Sequence, residues 1–248
     1  MPESVFLTAD WHNLALVNYE VEPDVLTPYV PAGTEIDLWE GRCYVSVVGL
    51  QFLKTKLLGV PIPFHRDFPE VNLRFYVRRE VDGELRRGVV FIKEIVPLHA
   101  VTWVARGIYN ENYVTLPMRE EITTDSFRYE WRSNGRWNRL WTKTYGDWSV
   151  PDLDSEASFV AEHYWGYAAQ RDGTTLEYEV EHPRWRMAKA DAVEYECDVG
   201  GLYGEEFVDV LSREPVSAFM AEGSAVVVRR GVRLQGNPLQ SSYGYCTN

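Results

Sequence analysis

The chain has 248 residues, 45% of them apolar and 14% aromatic, enough for a large core with a cavity inside it. Its formal net charge of −12 argues against nucleic acid and anionic membranes as partners, because both reward basic surfaces. Three widely spaced cysteines, Cys43, Cys197 and Cys246, form no CxxC, which fits a reducing cytoplasm and gives neither a disulfide framework nor a zinc signature.

The first residues, MPESVFLTADW, lack the basic segment and apolar run of a secretory signal, and no stretch of 18 apolar residues predicts a membrane-spanning helix. Pro23 to Tyr29 is expected as a short helix, with Pro23 near its first turn and Pro31-Ala32-Gly33 ending it. Arg42 to Phe52 is rich in β-branched and aromatic residues, and Glu70 to Val77 alternates strictly. Val89 to Ile95 and Ala100 to Ile108 are the next expected strands, followed by Ser126 to Arg132 and Arg136 to Tyr145. Ser155 to Tyr164 begins with a Ser cap and continues at helical spacing. Thr175 to Glu181 and Ala192 to Val199 read as strands, Gly204 to Arg213 as a helix stopped by Pro215, and Ala225 to Leu234 as a last strand.

Turn residues followed by Gly, at Glu40-Gly41, Asp82-Gly83, Asn134-Gly135 and Asp172-Gly173, supply the positive φ of tight hairpins and point to an antiparallel meander. The expected fold class is mainly β (α+β): an antiparallel barrel, or two packed sheets, with a few flanking helices. Residues 1–235 read as one domain, and the polar, Gly/Ser-rich residues 236–248 as a mobile tail.

Chemistry is concentrated in three segments. On the strand Glu70 to Val77, Glu70, Asn72, Arg74 and Tyr76 share one face, and Val71, Leu73, Phe75 and Val77 the other. Either the polar face is wet or it lines a lumen, where Glu70 and Arg74, about 13 Å apart along the strand, would grip opposite ends of a small polar ligand. Arg106 ends an otherwise apolar run and needs a carboxylate, a carbonyl or a bound anion. His182, in Glu181-His182-Pro183-Arg184-Trp185, is either a loop histidine packed on Trp185 or a ligand contact. His12, His65, His99, His163 and His182 show no HxH or HExxH spacing, so no metal is expected. No Walker loop, GxGxxG or GxSxG occurs, and no cofactor is expected.

The combination of Val30-Pro31-Ala32-Gly33-Thr34-Glu35-Ile36-Asp37, Glu70 to Val77, Gly88-Val89-Val90-Phe91, Ala105-Arg106-Gly107-Ile108-Tyr109 and His182-Pro183-Arg184-Trp185 resembles the acetoacetate decarboxylase-like superfamily. It is most similar to that superfamily's YqjF-type branch of conserved proteins of unknown function, over roughly Trp11 to Leu234. The resemblance implies a conical antiparallel barrel with a central cavity and flanking helices. In the decarboxylases a lysine, activated by a second lysine, forms a Schiff base with a β-keto acid. Matching Arg106 to the family arginine places Tyr113 and Val114 where those lysines belong, and neither can form an imine. The resemblance also places Glu70 in the cavity. Lys93, on the strand Val89 to Ile95, is the alternative amine, but no second lysine lies close in sequence to lower its pKa.

Two functional readings result. In the first, a small anionic or keto-type metabolite binds in a barrel cavity without Schiff-base chemistry. Arg106 or Arg74 would hold the anion, Glu70, Asn72 and Tyr109 would supply hydrogen bonds, and Tyr113 and His182 further contacts. In the second, the chain is a lyase, isomerase or hydrolase acting on a small carbonyl compound, with Glu70 as acid or base and Arg106 as anion stabiliser. A scaffold with no ligand is the third option. Trp131, Trp137, Trp141 and Trp148 fit a subunit interface as well as a core edge, which leaves a homo-oligomer open.

Overall fold

The computed structural model describes residues 3–61 and 65–234. The chain opens with β1 (Val5–Glu20) and a one-turn helix α1 (Pro23–Leu26), then β2 (Glu35–Ile36), β3 (Tyr44–Leu57) and β4 (Val60–Pro61). A long hairpin, β5 (Phe68–Val81) and β6 (Glu84–Val96), leads into α2 (His99–Ile108). Next come β7 (Tyr113–Thr115), β8 (Met118–Ile122), β9 (Ser126–Ser133), β10 (Arg136–Lys143) and α3 (Glu156–Ala161). The last part holds β11 (Trp165–Ala169), β12 (Thr175–Glu181), β13 (Met187–Lys189), β14 (Ala192–Glu196), α4 (Val199–Leu202), α5 (Val208–Leu211), β15 (Ser217–Arg229) and β16 (Val232–Leu234).

Seven strands, β15, β1, β3, β5, β6, β11 and β12, pair in that order, and β12 closes the ring by pairing with β15 through Val180–Val228 and Glu181–Val227. Neighbours in the ring are antiparallel except β6 and β11, which run parallel through Trp165–Gly88 and Gly166–Val89. Closure leaves these strands no free edge. A second antiparallel sheet, β14-β10-β9-β8, packs outside the barrel. The fold is therefore mainly β, as the residue pattern predicts, and it combines a closed barrel with a second sheet where that pattern left a barrel and two packed sheets as alternatives.

Alternation along β5 sets the two layers. Val71, Leu73, Phe75 and Val77 are buried in the main core with Tyr129, Trp131 and Leu140 of the second sheet. The opposite face, Glu70, Asn72, Arg74 and Tyr76, turns into the barrel. Both faces are covered, so the wet outer face allowed by the sequence does not exist. Trp131 belongs to this core and not to a subunit surface.

Three of the expected hairpin turns have positive φ at both central residues: 48° and 79° at Glu40-Gly41, 52° and 83° at Asp82-Gly83, 48° and 78° at Asn134-Gly135. That geometry matches the twist of the strands it joins. The Asp172-Gly173 turn is longer, with Gln170 N–H donating to the Thr174 carbonyl, and only Gly173 has positive φ.

The main departure is Ala100 to Ile108, expected as a strand and found within α2. Short apolar runs do not distinguish the two by pattern alone. Here the run sets Ala100 and Val101 along the cavity and leaves Trp103 and Arg106 on the outer groove, a two-sided division that a helix allows. The strand expected to reach Val199 ends at Glu196, where Asp198 caps α4 by accepting from Gly201 N–H. The expected tail, 236–248, lies outside the described residues.

Candidate functional site

The barrel interior holds a cavity of about 170 Å³ that opens to the outside. That is several times the ~30 Å³ a water occupies in the liquid, room for a small metabolite. Its walls are largely apolar, with the aromatic side chains of Trp11, Phe52, Phe68, Phe91, Trp165 and Trp185 among them. Two groups of polar side chains stand on this wall, and Thr55 and His65 also line it.

The first is acidic. Asn72 of β5 is the register partner of Glu94 on β6, and Glu94 is the partner of Tyr113 on β7, so the three stand in one row across adjacent strands. Tyr113 Oη donates to Glu70 Oε2 at 3.1 Å, and Asn72 Nδ2 donates to Glu70 Oε1 at 2.9 Å. Glu111, just before β7, accepts from Tyr178 Oη at 3.0 Å. Tyr178 can approach because its strand partner is Gly166, where a Cβ would lie 2.1 Å from the Tyr178 ring. Tyr109 packs edge-on against Phe6 and Tyr178, with ring centroids 4.8 and 5.1 Å away.

All three carboxyl groups are buried: Glu70 is 3% exposed, Glu94 2% and Glu111 7%. Burial pushes Glu70 up to about 7, opposed by its hydrogen bonds from Asn72 and Tyr113 and by the Arg74 charge. It pushes Glu111 up to about 8, with Glu70 raising it further. Glu94 is held well above the usual carboxylate range by burial and then by Glu111 and Glu70. Glu94 Oε2 and Asn72 Oδ1 have no hydrogen-bond partner in the protein.

The second region is basic. Arg74 Nη2 donates to the Val160 carbonyl at 2.9 Å, which ties it to α3, while its Nε has no partner. His163 lies stacked on Tyr76 at 4.6 Å, and neither ring nitrogen has a partner. Burial, reinforced by Arg87 and Arg74, holds His163 well below the usual histidine range, so the ring is neutral. His182 stacks on Trp185 at 4.2 Å, and its Nδ1 is 3.0 Å from the Pro183 carbonyl. Buried polar atoms without partners are uncommon, and those of Glu94, Asn72, Arg74 and His163 line one cavity, where a polar ligand would complete them.

Six of the residues singled out from sequence face this cavity: Glu70, Asn72, Arg74, Tyr109, Tyr113 and His182. Arg106 does not. It lies exposed in the last turn of α2, on a separate outer groove, because the helix turns it away from the barrel. Its role as anion stabiliser beside Glu70 is therefore withdrawn, and Arg74 is the arginine lining the cavity. Lys93 also faces away, donating to the Leu202 carbonyl, and no lysine lines the cavity among the described residues.

One irregularity explains both Lys93 and the missed Glu94. Val89 and Phe91 line the cavity, so strict alternation would bring Lys93 inward next. The β5–β6 register shifts there: Arg74 pairs with Phe91 but Leu73 pairs with Lys93. The extra residue on β6 is a bulge, which inverts the faces and turns Lys93 out and Glu94 in. Glu111, His163 and Tyr178 were also missed, since each reaches the cavity from a separate element and no local spacing connects them.

The model of a family described as an uncharacterized conserved protein, DUF2071, matches residues 8–225, and the chain belongs to that family. The uncharacterized protein YqjF of Bacillus subtilis (strain 168) is 23% identical over 197 residues, 77% of this chain and 79% of YqjF. Among solved structures, the acetoacetate decarboxylase of Legionella pneumophila superposes with a TM-score of 0.66 at 12% identity, covering 94% of this chain and 88% of that one. An acetoacetate decarboxylase-like enzyme from Sphingomonas wittichii RW1 gives 0.64 at 13% identity, covering 94% and 95%. The enduracididine biosynthesis enzyme MppR, complexed with the condensation product of pyruvate and imidazole 4-carboxaldehyde, gives 0.64 at 12% identity, covering 94% and 90%. At these identities the likeness establishes the fold.

Proposed function

We propose that this member of the family binds a small keto-type metabolite in the barrel cavity, by hydrogen bonds and charge and without an imine. The ligand's anionic end would face Arg74 and His163, and its carbonyl the cluster of Glu70, Glu94 and Glu111. The observation that carries this reading is the set of unpartnered polar atoms lining one cavity: Arg74 Nε and the His163 nitrogens, and Glu94 Oε2 with Asn72 Oδ1. A carboxyl group kept protonated by burial is a hydrogen-bond donor, which suits a carbonyl oxygen and repels no anion. The superposition with acetoacetate decarboxylase and with MppR, the latter solved with a pyruvate condensation product, supports the keto class. The test is a thermal-shift series with acetoacetate, pyruvate and longer keto acids. At least one should raise the melting temperature of the wild-type protein, and Arg74→Lys and Glu70→Gln should each diminish the rise. A flat response across the series, or a rise indifferent to both variants, contradicts the proposal.

A second reading makes the same cavity catalytic. Glu70 is held near 7, where a carboxyl group can both give and accept a proton at neutral pH. It would exchange a proton at the carbon next to the ligand's carbonyl, with Tyr113 and a protonated neighbour stabilising the enolate oxygen. Deuterium incorporation from D₂O into the bound keto acid, followed by NMR, tests this. Incorporation should fall by roughly a hundred-fold or more in Glu70→Gln. Equal rates in wild type and variant would leave only the binding reading.

A further inference from the structure

The outer groove that receives Arg106 shares no lining residue with the cavity. It has a volume of about 440 Å³ between the last turn of α2 and the β11–β12 turn. Arg106, Arg171 and Arg233 converge on it, with Asp172 as the sole carboxylate among the residues that form it. Arg233 is paired with Asp172 at 2.5 Å, whereas Arg106 and Arg171 make no ion pair among the described residues. Such a grouping leaves a local surplus of positive charge on a chain whose net charge is −12. Beside it stands Trp103, 80% exposed, a ring with no packing role.

The floor of the groove is braced. Asn110, in the left-handed conformation at φ 56°, ends α2, and its Nδ2 donates to the Ala169 carbonyl at 2.9 Å. Gln170 Nε2 donates to the carbonyls of Tyr109 and Ala168 at 2.9 and 3.1 Å. These bonds fix the backbone carrying Arg106 to the backbone carrying Arg171, so the two guanidinium groups are offered from a common frame. Guanidinium groups bind phosphate or carboxylate in a fork geometry, and an exposed indole stacks on a flat ring.

We propose that this groove is a binding site for a small anion carrying a flat ring, with Arg106 and Arg171 on the anionic group and Trp103 on the ring. The probes are adenosine 5′-monophosphate, adenosine, inorganic phosphate and benzoate, titrated at low salt with tryptophan fluorescence and calorimetry as readouts. The monophosphate should bind saturably and quench the fluorescence. Adenosine and phosphate should each bind roughly ten-fold more weakly or worse, and added salt should weaken binding. Arg106→Glu with Arg171→Glu should weaken it by roughly ten-fold or more, and Trp103→Ala should remove the quench. Glu70→Gln, which alters only the cavity, should leave it unchanged. No saturable binding of either ringed anion at millimolar concentration, or affinity unchanged in the arginine and tryptophan variants, overturns the proposal. Phosphate binding as tightly as the monophosphate overturns the part assigned to Trp103.

Discussion

Glu111 shows most directly how burial controls the cavity's chemistry. Its carboxyl group is moved up to about 8, and that of Glu70 to about 7, whereas an unfolded glutamate titrates near 4.3. The folded chain therefore holds more protons than the unfolded one across the interval between those values. Their contribution to stability is fully present below about pH 4.3 and is lost as pH rises through about 7 and 8. Glu111→Gln keeps an acceptor for Tyr178 but carries no charge. Denaturant unfolding should show the variant gaining about 2–4 kcal/mol over wild type as pH rises from 5 to 8, the gain growing through that interval and levelling off above about 8. A constant difference across that range would mean that Glu111 titrates like a solvated carboxylate. Glu70 was readable from the alternation of its strand, since that rule needs only the next residues along the chain. Glu111 was not, because its place beside Tyr178 is made by β12 folding back 67 residues away.

Elements position these residues through a few local devices. The bulge on β6 decides whether an amine or a carboxyl group enters the barrel, and no local composition announces it. The tight turns were legible because Asn-Gly and Asp-Gly carry their backbone preference with them. The helix α2 was not, because its β-branched run fits either periodicity until the barrel wall selects one. On β11, Gly166→Ala would drive the Tyr178 ring off Glu111, since the new Cβ has no room. The variant should lose about 1–3 kcal/mol in unfolding experiments and should also lose ligand-induced stabilisation, which separates it from a merely weakened strand. At α3, Ser155 Oγ accepts from Ser158 N–H at 3.2 Å. Ser155→Ala should cost about 1 kcal/mol while leaving ligand binding nearly intact, because Arg74 is tied to the far end of that helix. Binding lost in proportion to the missing cap would show that α3 moves as a unit with the cavity.

In the whole molecule, the closed barrel and the sheet outside it separate two tasks. The outward face of β5 packs the core against the second sheet, and the inward face furnishes the cavity. The fold class was legible because strand alternation and turn chemistry report on it throughout the chain. The site was legible only along single strands, and the assembly of its polar groups around one cavity required the ring to close. Arg106 illustrates the difference: its chemistry was read correctly as that of a cation in search of a partner, but its location depended on which way a helix faced. The central claim is that the cavity binds a carbonyl compound with carboxyl groups and has no amine to attack it. Intact-mass spectrometry after borohydride reduction, in the presence of whichever keto acid most raises the melting temperature, tests this. The protein should keep its unmodified mass while the stabilisation persists. A mass gain equal to a reduced keto-acid adduct, mapped to any lysine of the chain, would contradict the account.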